Sequence, residues 1–157
     1  MTNWFLYGKY TLEGVYMKLG IVGYSSGKFD ESIAHILLLR GIVQAEIKSG
    51  KMISEIVSGL TDQGIPGMAY HLAVKMDNIK TVGIACSKAG EYPCFAVDEA
   101  IIIGDEWGDE SETFIDYIDI LLRIGGGDQS LEEVSRFKEL KPSAVVVEYE
   151  LAREVEA

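Results

Sequence analysis

Short continuous apolar runs alternate along this chain with stretches in which apolar residues return every three or four positions. The first pattern predicts buried strands, the second amphipathic helices. Met17-Lys18-Leu19-Gly20-Ile21-Val22-Gly23-Tyr24 predicts a strand that opens into the small-residue loop Ser25-Ser26-Gly27-Lys28. From Asp30, the spacing of Ile33, Ile36, Leu37, Ile42 and Ile47 predicts a helix that closes around Ser49-Gly50. Ile53 to Ser58 reads as a second strand, Gly59 to Gly67 as a turn-rich loop, and Met68 to Met76 as a helix. Thr81 to Cys86 is a third strand, followed by irregular chain to Phe95 and a fourth strand from Glu99 to Ile103. A short helix starting within Thr113 to Ile115 precedes a strand from Asp119 to Ile124. Leu131 to Leu140 then reads as a helix and Ala144 to Tyr149 as the last strand. Residues 1–16 read as an appendage, 17–149 as one domain, and 150–157 as a fraying, solvated tail.

Strands alternating with helices in this way predict an α/β fold: a single doubly wound, mostly parallel sheet covered on both faces. A length of 157 residues suits one such domain. In these sheets the loops that follow strands gather at one edge, where ligands bind across the switch in strand order. Gly23 to Gly27, Ser58 to Gly67 and Gly125 to Ser130 all occupy that position. Any one of them could be only a tight turn; three on one edge point to a pocket. The most informative is Arg123-Ile124-Gly125-Gly126-Gly127-Asp128-Gln129-Ser130-Leu131-Glu132-Glu133. Its consecutive glycines leave N–H groups unshielded beside the positive end of a helix dipole, a setting suited to an anion. Ser130 and Glu133 have capping-box spacing.

Apolar residues make up 48% of the chain, a globular proportion. No apolar run approaches the roughly 18 to 20 residues that span a bilayer, and residues 1–16 lack the apolar stretch of a secretory signal. A cytoplasmic protein without a membrane partner is expected. Cys86 and Cys94 are expected as reduced thiols. His35 and His71 have no ligand-spaced partners, so no zinc centre is expected and no residue is assigned as a metal ligand, and His71 reads as a core or interface residue. The net charge of −11 is concentrated: nine acids and no Lys or Arg lie between Asp98 and Asp119. Such a patch repels a polyanion and excludes a nucleic-acid polymer as partner.

The acidic segment Asp105-Glu106-Trp107-Gly108-Asp109-Glu110 leaves three readings open. It is a solvated loop, or a set of carboxylates for ribose hydroxyls with Trp107 stacked on a base, or a site for Mg²⁺ bridging to phosphate. Lys28 either neutralises a phosphate at the first loop or sits exposed at a helix start. Tyr24 either lines the pocket or ends its strand. Asp62-Gln63-Gly64-Ile65-Pro66-Gly67 combines a turn with a helix start, and Gly67 permits close backbone approach, so this segment is assigned to the pocket wall.

Gly126 to Glu133 resembles the PGGxGTxxE motif of the Lonely-Guy-type phosphoribohydrolases, long labelled lysine decarboxylases. These belong to a Rossmann-like superfamily that also holds DprA-type and molybdenum-cofactor-carrier-like proteins. Gly23-Tyr24-Ser25-Ser26 is similar to the family's first glycine/serine loop. Ser58-Gly59, followed by Gly64-Ile65-Pro66-Gly67-Met68-Ala69, is similar to its SGG…GLMGA segment. The resemblance covers Met17 to about Tyr149 and implies a Rossmann-like three-layer sandwich and a homodimer or larger assembly. It implies that Gly126, Gly127 and Ser130 hold a nucleotide phosphate and that Glu133 takes part in cleaving the bond between base and ribose. Gly125 stands where the motif has proline, and Gln129 where it has its third glycine. The arginine that the enzymes carry on the preceding helix is absent from Trp107 to Asp116.

Three functions follow. The first is a carrier or sensor that binds a phosphorylated, nucleotide-derived small molecule through Gly23, Tyr24, Ser25, Ser26, Lys28, Ser58, Gly59, Gly64, Gly67, Met68, Asp105, Trp107, Gly125, Gly126, Gly127, Asp128, Gln129 and Ser130. The second is a hydrolase of a nucleotide's N-glycosidic bond, in which Glu133 stabilises a positively charged, ribose-centred transition state. The third is a structural oligomer whose glycines serve only turns.

Overall fold

The computed structural model describes residues 14–154. Within them the chain runs β1 (Tyr16–Gly23), α1 (Glu31–Ser49), β2 (Met52–Ser58), α2 (Gly64–Ala73) and β3 (Lys80–Ala85). It continues through a 3₁₀ turn (Ser87–Glu91), β4 (Glu99–Ile102), α3 (Ser111–Tyr117), β5 (Ile120–Ile124), α4 (Asp128–Leu140) and β6 (Val146–Tyr149). The strands form one sheet in the order β4-β3-β2-β1-β5-β6, and every neighbouring pair is parallel. Strand order runs one way from β1 to β4 and the other way through β5 and β6. The switch therefore falls between β1 and β5, where two crossover loops separate and leave a crevice.

The alternation of side chains along each strand divides the core into two layers. Leu19, Ile21, Ile120, Leu122 and Ile124 face α1 and α2, with Ala34, Leu38, Ile65, Ala69 and Tyr70 packed on them. Val22, Val57, Val82 and Leu121 face the other way, against Phe114, Ile115, Val134 and Phe137 of α3 and α4. The result is a three-layer Rossmann-like α/β sandwich. All five residues of β5 are buried, as a central parallel strand requires.

Several boundaries differ from the sequence pattern. Helix α2 starts at Gly64 rather than Met68, since Pro66 lies in the first turn, where its missing N–H costs nothing. Helix α4 starts at Asp128, with Gly127 as its N-cap and no side-chain capping bond. Ser130 is therefore already inside the first turn, and the expected capping box with Glu133 does not form. In α1, Asp30 caps the amides of Ser32 and Ile33, and Gly50 closes the helix at φ 69°. The face that α1 buries is Ala34, Leu38, Gly41, Ile42 and Ala45. Small residues let the helix approach the sheet closely, so Ile33, Ile36 and Ile47, whose spacing predicts the helix, stay in solvent, Ile47 at 67% exposure.

Residues 1–13 of the expected appendage and 155–157 of the expected tail lie outside the described residues, and Tyr16 already belongs to β1. The chain after β6 is not a loose tail up to residue 154. Leu151 is buried in the core, Arg153 bridges to Phe29, and the Glu154 amide donates to the Lys28 carbonyl at 2.7 Å. Buried Leu151 anchors this otherwise polar segment on the core. His71 is not a core residue: it is exposed, hydrogen-bonds Asp62 at 2.9 Å and meets Phe95 edge-on. Cys86 is buried, Cys94 is exposed, and both are free thiols. Among the described residues no helix is long and apolar enough to cross a membrane.

Candidate functional site

A cavity of about 310 Å³ opens at the carboxyl ends of β1, β2, β3 and β5, over the switch point. Of the residues singled out in the sequence, Gly23, Tyr24, Ser25, Ser26, Ser58, Gly59, Trp107, Gly127, Asp128, Gln129, Ser130 and Glu133 line it. Loops that follow three strands well apart in the chain are thus brought to one place by parallel topology.

The loop after β5 divides its glycines between two tasks. The Gly125 amide donates to the Tyr149 carbonyl at 2.8 Å, which ties the loop to β6. Gly126 adopts φ 102°, and a Cβ there would lie 2.6 Å from the Ser130 hydroxyl, so only glycine fits the turn. Neither residue lines the cavity. The amides of Gly127, Asp128, Gln129 and Ser130 do border it and have no protein partner among the described residues, as befits the first turn of a helix. Across the cavity the amides of Ser25 and Ser26 are likewise without a protein partner among the described residues.

The loop after β2 is held rigidly from behind. Ser58 donates through its hydroxyl to the Ile21 carbonyl at 2.6 Å, and its amide donates to the Tyr70 hydroxyl at 3.1 Å. The Tyr70 hydroxyl itself lies 2.6 Å from the Gly59 carbonyl and 2.8 Å from that of Val82. Gly64, Gly67 and Met68 lie outside the cavity lining. Gly64 is pressed against the Tyr24 carbonyl, Gly67 packs on Asp62, and Met68 packs into the core; from this segment Pro66 reaches the wall.

Two buried carboxylates stand in the cavity wall. Glu133, 8% exposed, accepts from the Ser111 hydroxyl at 3.1 Å. Burial pushes its carboxyl up to about 7, helped by the neighbouring charge of Glu110 and opposed by the Ser111 hydrogen bond. It can therefore hold or release a proton near neutral pH. Glu110 accepts from the Gly108 amide at 3.1 Å and from the Gln129 side chain at 2.9 Å. Gln129, where the resembling motif has glycine, thereby links α4 to the start of α3. A second cavity, about 460 Å³, lies between α3 and α4 and also touches Glu133, Gln129 and Trp107.

The remainder of the acidic segment folds on itself. Asp109 accepts from the amides of Asp105 and Glu106, Ser87 donates to Asp105 at 2.9 Å, and Lys88 pairs with Glu106. Asp105 consequently does not line the cavity. Trp107 does, 48% exposed and tilted against Tyr92 at 6.0 Å. Lys28 is exposed and outside the lining. Among the described residues no group of three or more His, Cys, Asp or Glu side chains is placed to hold a metal. Arg123 is buried on the β6 side, bound to Glu148, Glu150 and the Gly125 carbonyl, and takes no part in the cavity.

Leu60 and Thr61, within the loop after β2, and Glu110, within the acidic segment, also line the cavity, as does Arg153, which the sequence pattern did not single out. Glu110 sat within a run of acids with nothing to distinguish it. Arg153 lay in a segment whose sole structural signal was Leu151.

No protein-family model matches the chain, and no curated protein does. Solved structures share its fold. The molybdenum cofactor binding protein from the phototrophic bacterium Rippkaea orientalis superposes with a TM-score of 0.65 at 20% identity, over 86% of this chain and 78% of that one. The molybdenum cofactor carrier protein from Chlamydomonas reinhardtii gives 0.59 at 16% identity, over 86% of this chain and 91% of that one. The structural-genomics target TM1055 gives 0.60 at 21% identity, over 79% of this chain and 69% of that one. The resemblance to molybdenum-cofactor-carrier-like proteins is met at the level of the fold.

Proposed function

We propose that this chain binds a phosphorylated, nucleotide-derived small molecule in the switch-point cavity and serves as its carrier or sensor. The observation that carries this reading is the cavity itself, where unpartnered amides of Ser25, Ser26 and Gly127 to Ser130 meet between two crossover loops. Such amides favour an anionic group, and Trp107 offers an aromatic face for a heterocycle. Two proteins that share the fold are described as binding or carrying the molybdenum cofactor, which makes that cofactor a necessary member of any ligand panel. The two free cysteines fit a reducing compartment such as the cytoplasm.

The test is a thermal-shift panel of AMP, GMP, ADP-ribose and the molybdenum cofactor. A ligand at a hundred times its Kd adds about 2.7 kcal/mol to the folded state, so the right compound raises Tm by several degrees. Gly127→Leu is the matching control. Gly127 has φ −94°, and a Cβ there meets open space, so leucine fits the backbone and fills the cavity. The variant should lose the ligand-induced rise and show only a small fall in Tm without ligand, from the poorer helix cap. If no phosphorylated compound shifts the wild type, the reading fails.

The placement of Glu133 supports a second reading, hydrolysis of a nucleotide's glycosidic bond. A carboxyl that titrates near 7 inside a ligand-sized cavity is suited to proton transfer. Incubation with AMP would then release adenine, and Glu133→Gln would stop the release without loss of binding. Intact AMP after prolonged incubation leaves the carrier.

The exposed stripe of Ile33, Ile36, Leu39, Val43 and Ile47 on α1 supports self-association. A second copy is the partner that this face suits, because two-fold packing sets one apolar helix stripe against the same stripe. Light scattering of wild type should give at least twice the mass of one chain. Ile36→Glu together with Val43→Glu should return the single-chain mass, and an unchanged mass would exclude this face.

A further inference from the structure

Arg153 differs from the protein's other anchored arginines. Arg123 and Arg136 are each held by two carboxylates. Arg153 has no carboxylate partner among the described residues; its Nη2 donates to the Ser26 carbonyl at 2.9 Å and lies 3.4 Å from the Ser26 hydroxyl. Its Nε and Nη1 donors have no protein acceptor among the described residues, and the residue lines the switch-point cavity. Among the described residues it is also the only Lys or Arg that lines the cavity, whose lining includes the acids Glu110, Asp128 and Glu133.

The seat of this side chain is built from three directions. The guanidinium lies 5.1 Å from the centre of the Tyr24 ring, a cation–π distance. It rests on the bare backbone of Gly27, at φ 90°, where a Cβ would overlap the guanidinium nitrogens. Its own backbone is pinned by the bridge to Phe29, by the Glu154 amide on the Lys28 carbonyl, and by buried Leu151. Tyr24 in turn packs against Gly125, so the guanidinium is in register with both crossover loops that define the cavity. A planar, permanently charged fork held at a cavity mouth with unspent donors is matched to the oxygens of a phosphate.

We infer that Arg153 is the residue by which the cavity recognises the phosphate of its ligand, discriminating a phosphorylated compound from its unphosphorylated parent. This deepens the carrier reading and rests on it. The strap 150–154 thus completes a site that the β1 and β5 loops leave without a cation.

The experiment measures calorimetric binding of AMP, adenosine and inorganic phosphate to wild type, Arg153→Met and Arg153→Lys, each checked for an unchanged far-ultraviolet spectrum and Tm. Wild type should prefer AMP to adenosine by at least tenfold. Arg153→Met should remove that preference by weakening AMP alone, and Arg153→Lys should restore part of it, with charge but without the fork. Salt should weaken AMP binding more steeply in wild type than in Arg153→Met. If wild type prefers AMP and Arg153→Met keeps the full preference, the inference is wrong while the nucleotide reading stands. If wild type binds none of the three probes, the cavity does not recognise phosphate and the inference is wrong, while the carrier reading is decided by the wider thermal-shift panel. Should Arg153→Met lower Tm, the comparison passes to Arg153→Lys, where full wild-type preference for AMP with an unaltered salt slope is expected of a bystander charge and a reduced preference of a recognising fork.

Discussion

Glu133→Gln is expected to make the protein more stable at pH 8, by about 2 to 3 kcal/mol, and to leave it nearly unchanged at pH 4. The cause is the carboxyl's burial, which lifts it from an ordinary 4.5 to about 7 in the folded chain. Between those values the folded form keeps a proton that the unfolded form has released. Its stability contribution is therefore full below pH 4.5, falls as pH rises through the window, and is lost above 7. Glutamine is neutral throughout, keeps an oxygen to accept from Ser111, and removes the slope. Urea denaturation of wild type and variant at pH 4, 5, 6, 7 and 8 measures this directly. Parallel stability curves across that range would mean that Glu133 is not buried as described. For a carrier, a buried carboxyl of this kind has a consequence: its charge appears as pH rises and opposes an anion in the same cavity.

Tyr70→Phe should cost about 2 kcal/mol and should loosen the loop after β2. The Tyr70 hydroxyl accepts from the Ser58 amide and lies against the carbonyls of Gly59 and Val82, beside the sheet. Phenylalanine preserves the ring and its stacking on Phe95 at 5.1 Å, so packing is kept while a buried N–H loses its acceptor. An unpaired buried donor costs more than a hydrogen bond gains. Hydrogen exchange at Ser58 and Gly59 should accelerate together with the fall in chemical stability. A variant within a few tenths of a kcal/mol of wild type would show that the loop holds itself. Because Ser58 and Gly59 line the cavity, this change also separates a rigid wall from a loose one in ligand affinity.

The strand–helix alternation was legible in the sequence because a parallel sheet buried on both faces needs continuous apolar runs, as in Ile120 to Ile124, and polar-faced helices between them. The glycine-rich turns were legible for a related reason: few residues other than glycine tolerate the positive φ of Gly126 or the close packing of Gly125 on Tyr24. Helix starts were less legible. Ser130 looks like a cap in sequence, but Gly127 already turns the chain and Asp128 opens the helix, so the serine lies inside the first turn. The buried stripe of α1 was hidden as well, since the residues that touch the sheet include Ala34, Gly41 and Ala45, whose small size is what allows contact.

Local pattern thus determined the elements, their order and the edge on which ligand loops gather, because propensity, turn chemistry and hydrophobic period act over a few residues. It could not determine which side chains share a cavity. That choice depends on strand order, which sets β1 beside β5 and brings Gly23 to within reach of Gly126. It depends equally on the docking of Leu151, which carries Arg153 back across more than a hundred positions to Ser26. Burial, which gives Glu133 its raised affinity for a proton, is a property of the assembled layers and of no segment alone.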